Sequence, residues 1–317
     1  MKIAVIGVGM VGSTIAYTLA MSGMGSKIVL VDKDIKRAKA EAMDISHASV
    51  LGFGTLVEAG DFEDILESKI VIVTAGANQK SGETRLELLD RNAEIFSSII
   101  PWIRKYAKDC ILIVATNPVD VMTEVAYRLS GFDKNRVFGT GCVLDSARFR
   151  SVLGAKLMIS SRSIHANVIG EHGDSEVLLW SGAVGGTSPI DKVAEAMGVK
   201  IDDDFIAEVE DEVKNSAYKI IDGKGSTYFG IASAVRHIVK AIIDDSHAIL
   251  NVSSCHINGI GGFDEVCYAM PSVVGSKGII NTLKPMMNDV ETEKLIKSIG
   301  ILCERQRGKG KILASNR

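Results

Sequence analysis

No two of the five cysteines, Cys110, Cys142, Cys255, Cys267 and Cys303, lie two to four residues apart. Zinc-ribbon and CxxC redox spacings are therefore absent. An odd count without disulfide-style spacing fits a reducing compartment, so a cytoplasmic location is expected. Neither sign of charge is in excess: Lys plus Arg number 36 and Asp plus Glu 39, a net charge of -3. That balance gives no reason to expect a nucleic-acid partner or a polybasic membrane contact. Long unbroken apolar runs are missing as well. Residues 3–26 carry no charge and follow Lys2, but Gly7, Gly9, Gly12, Gly23 and Gly25 punctuate them together with serines and threonines. A signal h-region or membrane helix is more continuously apolar. Short-period repeats and low-complexity linkers are absent too. A chain of 317 residues, 46% hydrophobic, is then expected to build about two domains packed on one another rather than tethered.

What is present is a rhythm. Short apolar runs at 2–6, 27–32, 56–58, 70–75, 111–115 and 136–138 read as strands. Helical patterns lie between them at 10–22, 35–47, 85–108 and 119–129. Alternation of this kind predicts a parallel, doubly wound (Rossmann) sheet with helices on both faces. Near Gly141 the rhythm changes. Helices are expected at 143–153, 203–222 and from about Thr227 to Leu250, with strands around 163–169, Val184 and 267–275. The expected organisation is α/β: a dinucleotide-binding domain over residues 1–142 and an α+β substrate domain over 143–317. A last helix from about Glu291 is expected to end in a solvated, partly disordered basic tail at Arg305–Lys311.

Gly7-Val8-Gly9-Met10-Val11-Gly12 follows the first strand and opens a helix. In that context Gly7 allows a tight turn, Gly9 lets backbone approach a pyrophosphate, and Gly12 lets helix and strand pack closely. The N–H groups of Met10, Val11 and Gly12 would face the phosphates. Asp32 ends the second strand, where a carboxylate can accept both ribose hydroxyls and would repel a 2′-phosphate. NAD is the expected cofactor, with no metal.

Four more stretches carry chemistry. Thr74 to Arg85 is polar and glycine-punctuated, and includes Gly76 and Gln79. Ala115-Thr116-Asn117-Pro118-Val119-Asp120 follows the fifth strand. Val143 to Arg150 is helical and carries Asp145, Arg148 and Arg150. Gly170-Glu171-His172-Gly173-Asp174 ends an apolar run that contains His165. A histidine at a strand end can be aimed into a cleft as a general acid or base. Read singly, each of these residues has an ordinary structural explanation: an exposed helix arginine, a helix cap, a turn former before proline, a polar surface turn. His47, His237, His247 and His256 carry no motif and are expected to be structural or solvated.

In order and spacing these motifs resemble the L-lactate/malate dehydrogenase family over essentially the whole chain, most of all its bacterial, lactate-specific members. The resemblance implies that His172 is the catalytic acid/base, Asp145 its partner, and Arg148 the grip on the substrate carboxylate. It implies that Arg85 polarises the reacting carbonyl from a mobile loop and that Asn117 binds near the carbonyl and nicotinamide, with a cis bond to Pro118. Thr227 would line the substrate pocket. Gln79 stands where malate-specific members carry an arginine, so reversible hydride transfer between NADH and pyruvate, giving L-lactate, is implied. Arg150 and His165 match positions that bind fructose 1,6-bisphosphate in allosteric members, and a homotetramer is implied. Two features depart from the family pattern: Ser81, where bacterial members often have proline, and the Gly/Lys-rich C-terminus. The rival readings are a malate dehydrogenase, a dehydrogenase of branched 2-hydroxy acids, and an NAD-binding redox sensor without turnover.

Overall fold

The computed structural model describes residues 1–77, 85–257 and 259–307, and only the backbone of Arg85, Leu86 and Arg307. The first half runs β1 (Lys2–Ile6), α1 (Met10–Ala20), β2 (Lys27–Val31), α2 (Ile35–Val50), β3 (Leu56–Ala59), β4 (Ile70–Val73), α3 (Arg85–Tyr106), β5 (Ile111–Val114), α4 (Val119–Ser130) and β6 (Val137–Gly139). These six strands lie parallel in the order β6-β5-β4-β1-β2-β3. β4 and β5 are buried along their whole length, as strands covered on both faces must be. Alternation along β1 splits the core in two. Ala4 and Ile6 pack with Phe96, Ile100 and Met122 from α3 and α4. Ile3 and Val5 face the opposite side, toward Ile15 and Leu19 of α1.

The second half runs α5 (Val143–Lys156), β7 (Ile164–Ile169), β8 (Val177–Gly185), β9 (Ser188–Pro189), α6 (Ile190–Ala196), α7 (Asp203–Lys224), α8 (Phe229–Ile243), β10 (Ala248–His256), β11 (Val266–Gly275), β12 (Gly278–Thr282) and α9 (Asp289–Arg307). β7, β8 and β9 form a small antiparallel sheet with a bulge between His165 and Asn167. β10, β11 and β12 do not form a sheet of their own. They extend the large one, β10 joining β6 antiparallel at Ser253 and Gly139. α8 covers the first half from this side, with Val235, Ile238 and Val239 in the same core as Ile3 and Val5.

Three expectations need correction. The helix expected to reach Leu250 stops at Ile243, because Asp245 (φ 47°) and His247 (φ 53°) take left-handed backbone and turn the chain into β10. α6, β9 and β12 were not anticipated. The basic tail does not begin at Arg305: α9 continues through Arg307, and Gln306 is buried. Residues 308–317 lie outside the described residues. Among the described residues no helix is long and apolar enough to cross a membrane.

Candidate active site

The carboxyl ends of β1, β4 and β5 meet in one continuous polar edge. Gly7 turns with φ 94°, and a Cβ there would come 2.5 Å from the Ala75 nitrogen. Thr74 Oγ1 donates to the Gly7 carbonyl at 2.6 Å, and Thr116 Oγ1 to that of Ala75 at 2.9 Å. Asn92 on α3 completes the edge: its Oδ1 accepts from the Ala77 N–H at 2.8 Å and its Nδ2 donates to the Asn117 carbonyl at 2.9 Å. The Asn117–Pro118 bond is cis. Asp32 is held toward the glycine turn, Oδ2 accepting from Val8 N–H at 2.5 Å and Oδ1 from Asp34 N–H at 2.9 Å.

This edge fits a dinucleotide. Gly9 caps α1 without a side-chain hydrogen bond, so the first-turn N–H groups of Met10, Val11 and Gly12 stay available to an anion. A Cβ on Gly9 would meet nothing within 4 Å, so the space its missing side chain opens faces outward. Gly12 has the opposite reason: a Cβ there would lie 2.0 Å from the Gly7 carbonyl oxygen. Gly76 is exposed at the same edge, its Cα side against Thr116.

Beside it, three side chains from two elements converge. Asp145 is buried in the first turn of α5, and Arg148 lies one turn on. His172 sits just past β7. Its Nδ1 is 2.6 Å from Asp145 Oδ2, and Arg148 Nη1 donates to Asp145 Oδ1 at 2.7 Å. Burial works against ionisation of Asp145, but the His172 and Arg148 cations hold its carboxyl below the usual range. Burial likewise works against a charged His172, yet the Asp145 carboxylate raises the imidazole to about 9. The ring is thus a proton carrier at neutral pH. Its Nε2 makes no hydrogen bond among the described residues. One nitrogen of Arg148 is engaged by Asp145, so a two-pronged grip on a substrate carboxylate has to use the other N–H groups of its fork.

Several supporting residues escaped the sequence reading. Asp120 on α4, three residues past Asn117, accepts the His172 N–H at 2.8 Å and joins the two halves of the site; burial raises its carboxyl to about 6. Glu176 is buried with its Oε1 unpartnered, and burial and the nearby Asp145 push it up to about 8. One donor atom each from Asp145, His172 and Glu176 lie within 4.8 Å of one another, a set that would suit a cation but for the Arg148 guanidinium already on Asp145. Glu171, next to His172, accepts from Ser175 and from Arg305 of α9, while its N–H donates to Ser298 Oγ at 2.9 Å. Gly170 (φ 87°) lets the chain pass under α9, since a Cβ there would lie 2.8 Å from Ser298 Oγ. The final helix therefore clasps the loop that carries the histidine. The only signal for this in the sequence was the polarity of Glu171 and Ser175 around the glycines.

The remaining candidates are more dispersed. Thr227 is half-buried in the loop between α7 and α8. Arg150 is half-buried on α5, donating from Nε to the Ser146 carbonyl at 3.1 Å, and His165 is exposed on β7, the strand packed against α5. Arg85 opens α3, with its side chain outside the description; Gln79 and Ser81 lie outside the described residues.

The family model for the NAD-binding domain of lactate/malate dehydrogenases matches residues 1–139, and that for their alpha/beta C-terminal domain matches residues 142–308. An L-lactate dehydrogenase of Allorhizobium ampelinum is 47% identical over 302 residues, 95% of this chain and 97% of that one. One from Thermus aquaticus is 44% identical with the same coverage. Among solved structures, a lactate dehydrogenase from a Medee basin deep-sea metagenome library superposes with a TM-score of 0.93 at 37% identity, covering 96% of this chain and 98% of that chain. The minor L-lactate dehydrogenase of Enterococcus mundtii superposes with a TM-score of 0.92 at 35% identity, covering 100% and 98%.

Proposed function

The chain belongs to the lactate/malate dehydrogenase family, and from that membership we propose that it is an L-lactate dehydrogenase interconverting pyruvate and L-lactate. It is an NAD-dependent 2-hydroxy acid dehydrogenase. The observation that carries the dehydrogenase chemistry is the Asp145–His172 contact at 2.6 Å with Arg148 on the same carboxylate, and the likeness to L-lactate dehydrogenases at 44–47% identity supports the narrower choice of pyruvate. The contact supplies a proton donor and a carboxylate grip side by side. When bound, NADH supplies the hydride to the keto carbon and NAD takes it back in reverse. Gly7, Gly9, Met10, Val11, Gly12, Asp32, Gly76 and Asn117 form the proposed cofactor contacts.

On the protein side, Arg148 holds the carboxylate of the 2-keto acid through its free N–H groups. His172 gives its proton to the carbonyl oxygen, and Asp145 keeps the tautomer and the charge. Arg85 polarises the carbonyl when its loop closes and expels water, and Asn117 and Thr227 complete the substrate contacts. Gln79 offers a neutral amide where a second carboxylate would need a cation, which favours pyruvate over oxaloacetate.

The same reading extends to organisation. Residues 1–142 form the cofactor half and 143–317 the substrate half. The assembly is a homotetramer, a role for which the exposed Met43, Val50, Leu51 and Phe53 offer apolar surface. Arg150 and His165 form an activating fructose 1,6-bisphosphate site. The enzyme is cytoplasmic, consistent with its five free cysteines. The test is a parallel assay of pyruvate, oxaloacetate and 2-ketoisocaproate with NADH. Oxidation of NADH fastest with pyruvate is expected. Preference for another keto acid would change the substrate, and no turnover with any would return the protein to the sensor class.

A further inference from the structure

Cys255 on β10 and Cys267 on β11 stand directly opposite one another in the antiparallel ladder. Both are free and buried, Cys267 fully and Cys255 at 7% exposure. Directly opposed residues place their Cβ atoms about 4.5–5.5 Å apart, and a disulfide spans about 3.5–4.5 Å. We propose that Cys255 and Cys267 form a reversible dithiol–disulfide site in this protein, with a peroxide as its oxidant.

The surroundings decide which sulfur attacks. The neighbouring Cys267 thiol holds the Cys255 thiol below its ordinary value against the effect of burial; Arg128 acts in the same direction, Glu124 and Glu265 against it. Burial drives Cys267 well above the ordinary value, so it remains a protonated donor. Cys255 also lies near the end of its strand, followed by half-buried His256 and exposed Ile257, within reach of a small oxidant. The Cys255 thiolate attacks one peroxide oxygen, forming a sulfenic acid as the other oxygen leaves as hydroxide. The Cys267 sulfur then attacks the Cys255 sulfur, the S–S bond forms, and the hydroxyl leaves with the Cys267 proton as water. Two thiols are oxidised, and the peroxide is reduced to two waters.

Closing the bond has to draw the two strands together, and such a bond is readily reduced again, the behaviour of a responsive pair rather than a structural staple. Its position matters for the rest of the molecule. Two residues past Cys267, Ala269 bridges to Gly170, from which the His172 loop departs. Among the described residues no other two cysteines face one another across a ladder. Burial pushes Cys110 up to about 12 and Cys142 well above its ordinary value, which makes both poor nucleophiles.

The experiment treats the purified full-length protein with hydrogen peroxide, then alkylates it under denaturing conditions and reads intact mass and peptides. Expected are an intact mass lower by two hydrogen atoms before alkylation, two fewer alkyl adducts on the five cysteines after it, a peptide cross-link between Cys255 and Cys267, and full reversal by dithiothreitol. Cys267→Ala should trap the sulfenic acid on Cys255 for a dimedone probe, and Cys255→Ala should block the reaction. A cross-link through any other cysteine, or oxygen addition to wild-type Cys255 while Cys267 stays alkylatable, overturns the proposal. So does retention of all five thiols. Each of these readouts is taken on wild-type protein and is independent of turnover.

Discussion

Nδ1 of His172 lies 2.6 Å from Oδ2 of Asp145, and the other oxygen of that carboxylate is held by Arg148. The pair divides its labour. In the proposed mechanism the imidazole carries the proton, and the carboxylate fixes which nitrogen presents it. Replacing His172 by Asn removes the carrier and is expected to lower turnover by about 10⁴-fold, the upper range for general acid–base catalysis, with NADH binding nearly intact. Asp145→Asn leaves the carrier in place but takes away its charge partner, and should cost roughly 10²-fold. Steady-state rates with NADH fluorescence titration check both; a fully active His172→Asn protein would sink the mechanism.

The charge of this pair sets a pH profile. In the proposed mechanism His172 has to be protonated for keto-acid reduction and unprotonated for hydroxy-acid oxidation. With the ring raised to about 9, reduction should stay level through neutral pH and fall as pH rises through that value, while oxidation climbs over the same range. Glu176, raised to about 8, ionises slightly earlier and helps keep the proton on His172. Glu176→Gln should therefore move the alkaline limb to lower pH while changing neutral rates little. An unmoved limb would show that Glu176 does not feel the site. Stability follows the same signs. The raised His172 stabilises the fold fully below its ordinary value of 6.5, and that contribution is lost as pH rises through about 9. The depressed Asp145 stabilises above its ordinary value of 3.8, and that contribution is lost as pH falls through the lowered one.

The two glycines at the start of α1 should behave as opposites. A Cβ on Gly12 would lie 2.0 Å from the Gly7 carbonyl oxygen, and backbone cannot swing aside as a side chain does. Gly12→Ala is expected to cost about 1–3 kcal/mol or more of stability. A Cβ on Gly9 meets no protein atom within 4 Å, so Gly9→Ala should keep its Tm while losing NADH affinity at least tenfold, because the methyl fills the space of a phosphate. Thermal melts with and without NADH separate the cases. Equal loss of Tm in both variants would contradict the division.

The first half of the fold was legible because its signals are local. Lys2–Ile6 is an apolar run closed by a glycine turn, and β4 and β5 repeat the pattern without polar interruption. β10 was not, because Asn251, Ser253 and Ser254 are polar yet buried, and so lack the look of a strand. Asn251 is accommodated only by partners remote in sequence, Ser146 at 2.7 Å and Asn167 at 2.9 Å. The site divides in the same way. Asp145 and Arg148 share a helical face by spacing alone, and Glu176 lies in the histidine loop itself, four residues past His172. Asp120 and Arg305 reach that loop only through tertiary packing, and nothing in their neighbours along the chain announces it.

Substrate choice is expected to turn on Gln79. Oxaloacetate would bring a second carboxylate beside a neutral amide, where an unpaired charge is costly once water is excluded. Gln79→Arg should raise kcat/KM for oxaloacetate and lower it for pyruvate, a shift in their ratio of at least about 10²-fold. If wild-type protein already reduces both keto acids equally well, Gln79 is not the discriminating residue.

Arg150 follows Arg148 by two positions, so it points away from the side of α5 that carries the catalytic pair. Its guanidinium is half-buried and donates to a carbonyl, that of Ser146. Burial and the charges of Arg150, Arg236 and Lys240 together hold His237 below its ordinary value, so this side of α5 is crowded with cations. His165 lies exposed on the adjoining strand at a bulge. An isologous interface would bring two copies of each cation together, and repulsion would weaken the assembly until an anion bridged them. A sugar bisphosphate carries two phosphates to do so, through charge-assisted hydrogen bonds. Linkage then requires that the effector favour whichever state binds it better, with a coupling of about 1–3 kcal/mol, five- to 150-fold in affinity. Fructose 1,6-bisphosphate is expected to lower the apparent KM for pyruvate. Arg150→Gln should abolish that response while leaving basal turnover in place, because Arg150 lies off the catalytic face. Sedimentation in parallel should show the sugar phosphate favouring the larger assembly of the wild type alone. Saturation curves that superimpose with and without the bisphosphate at pH 6 and pH 7.5 would remove the effector site.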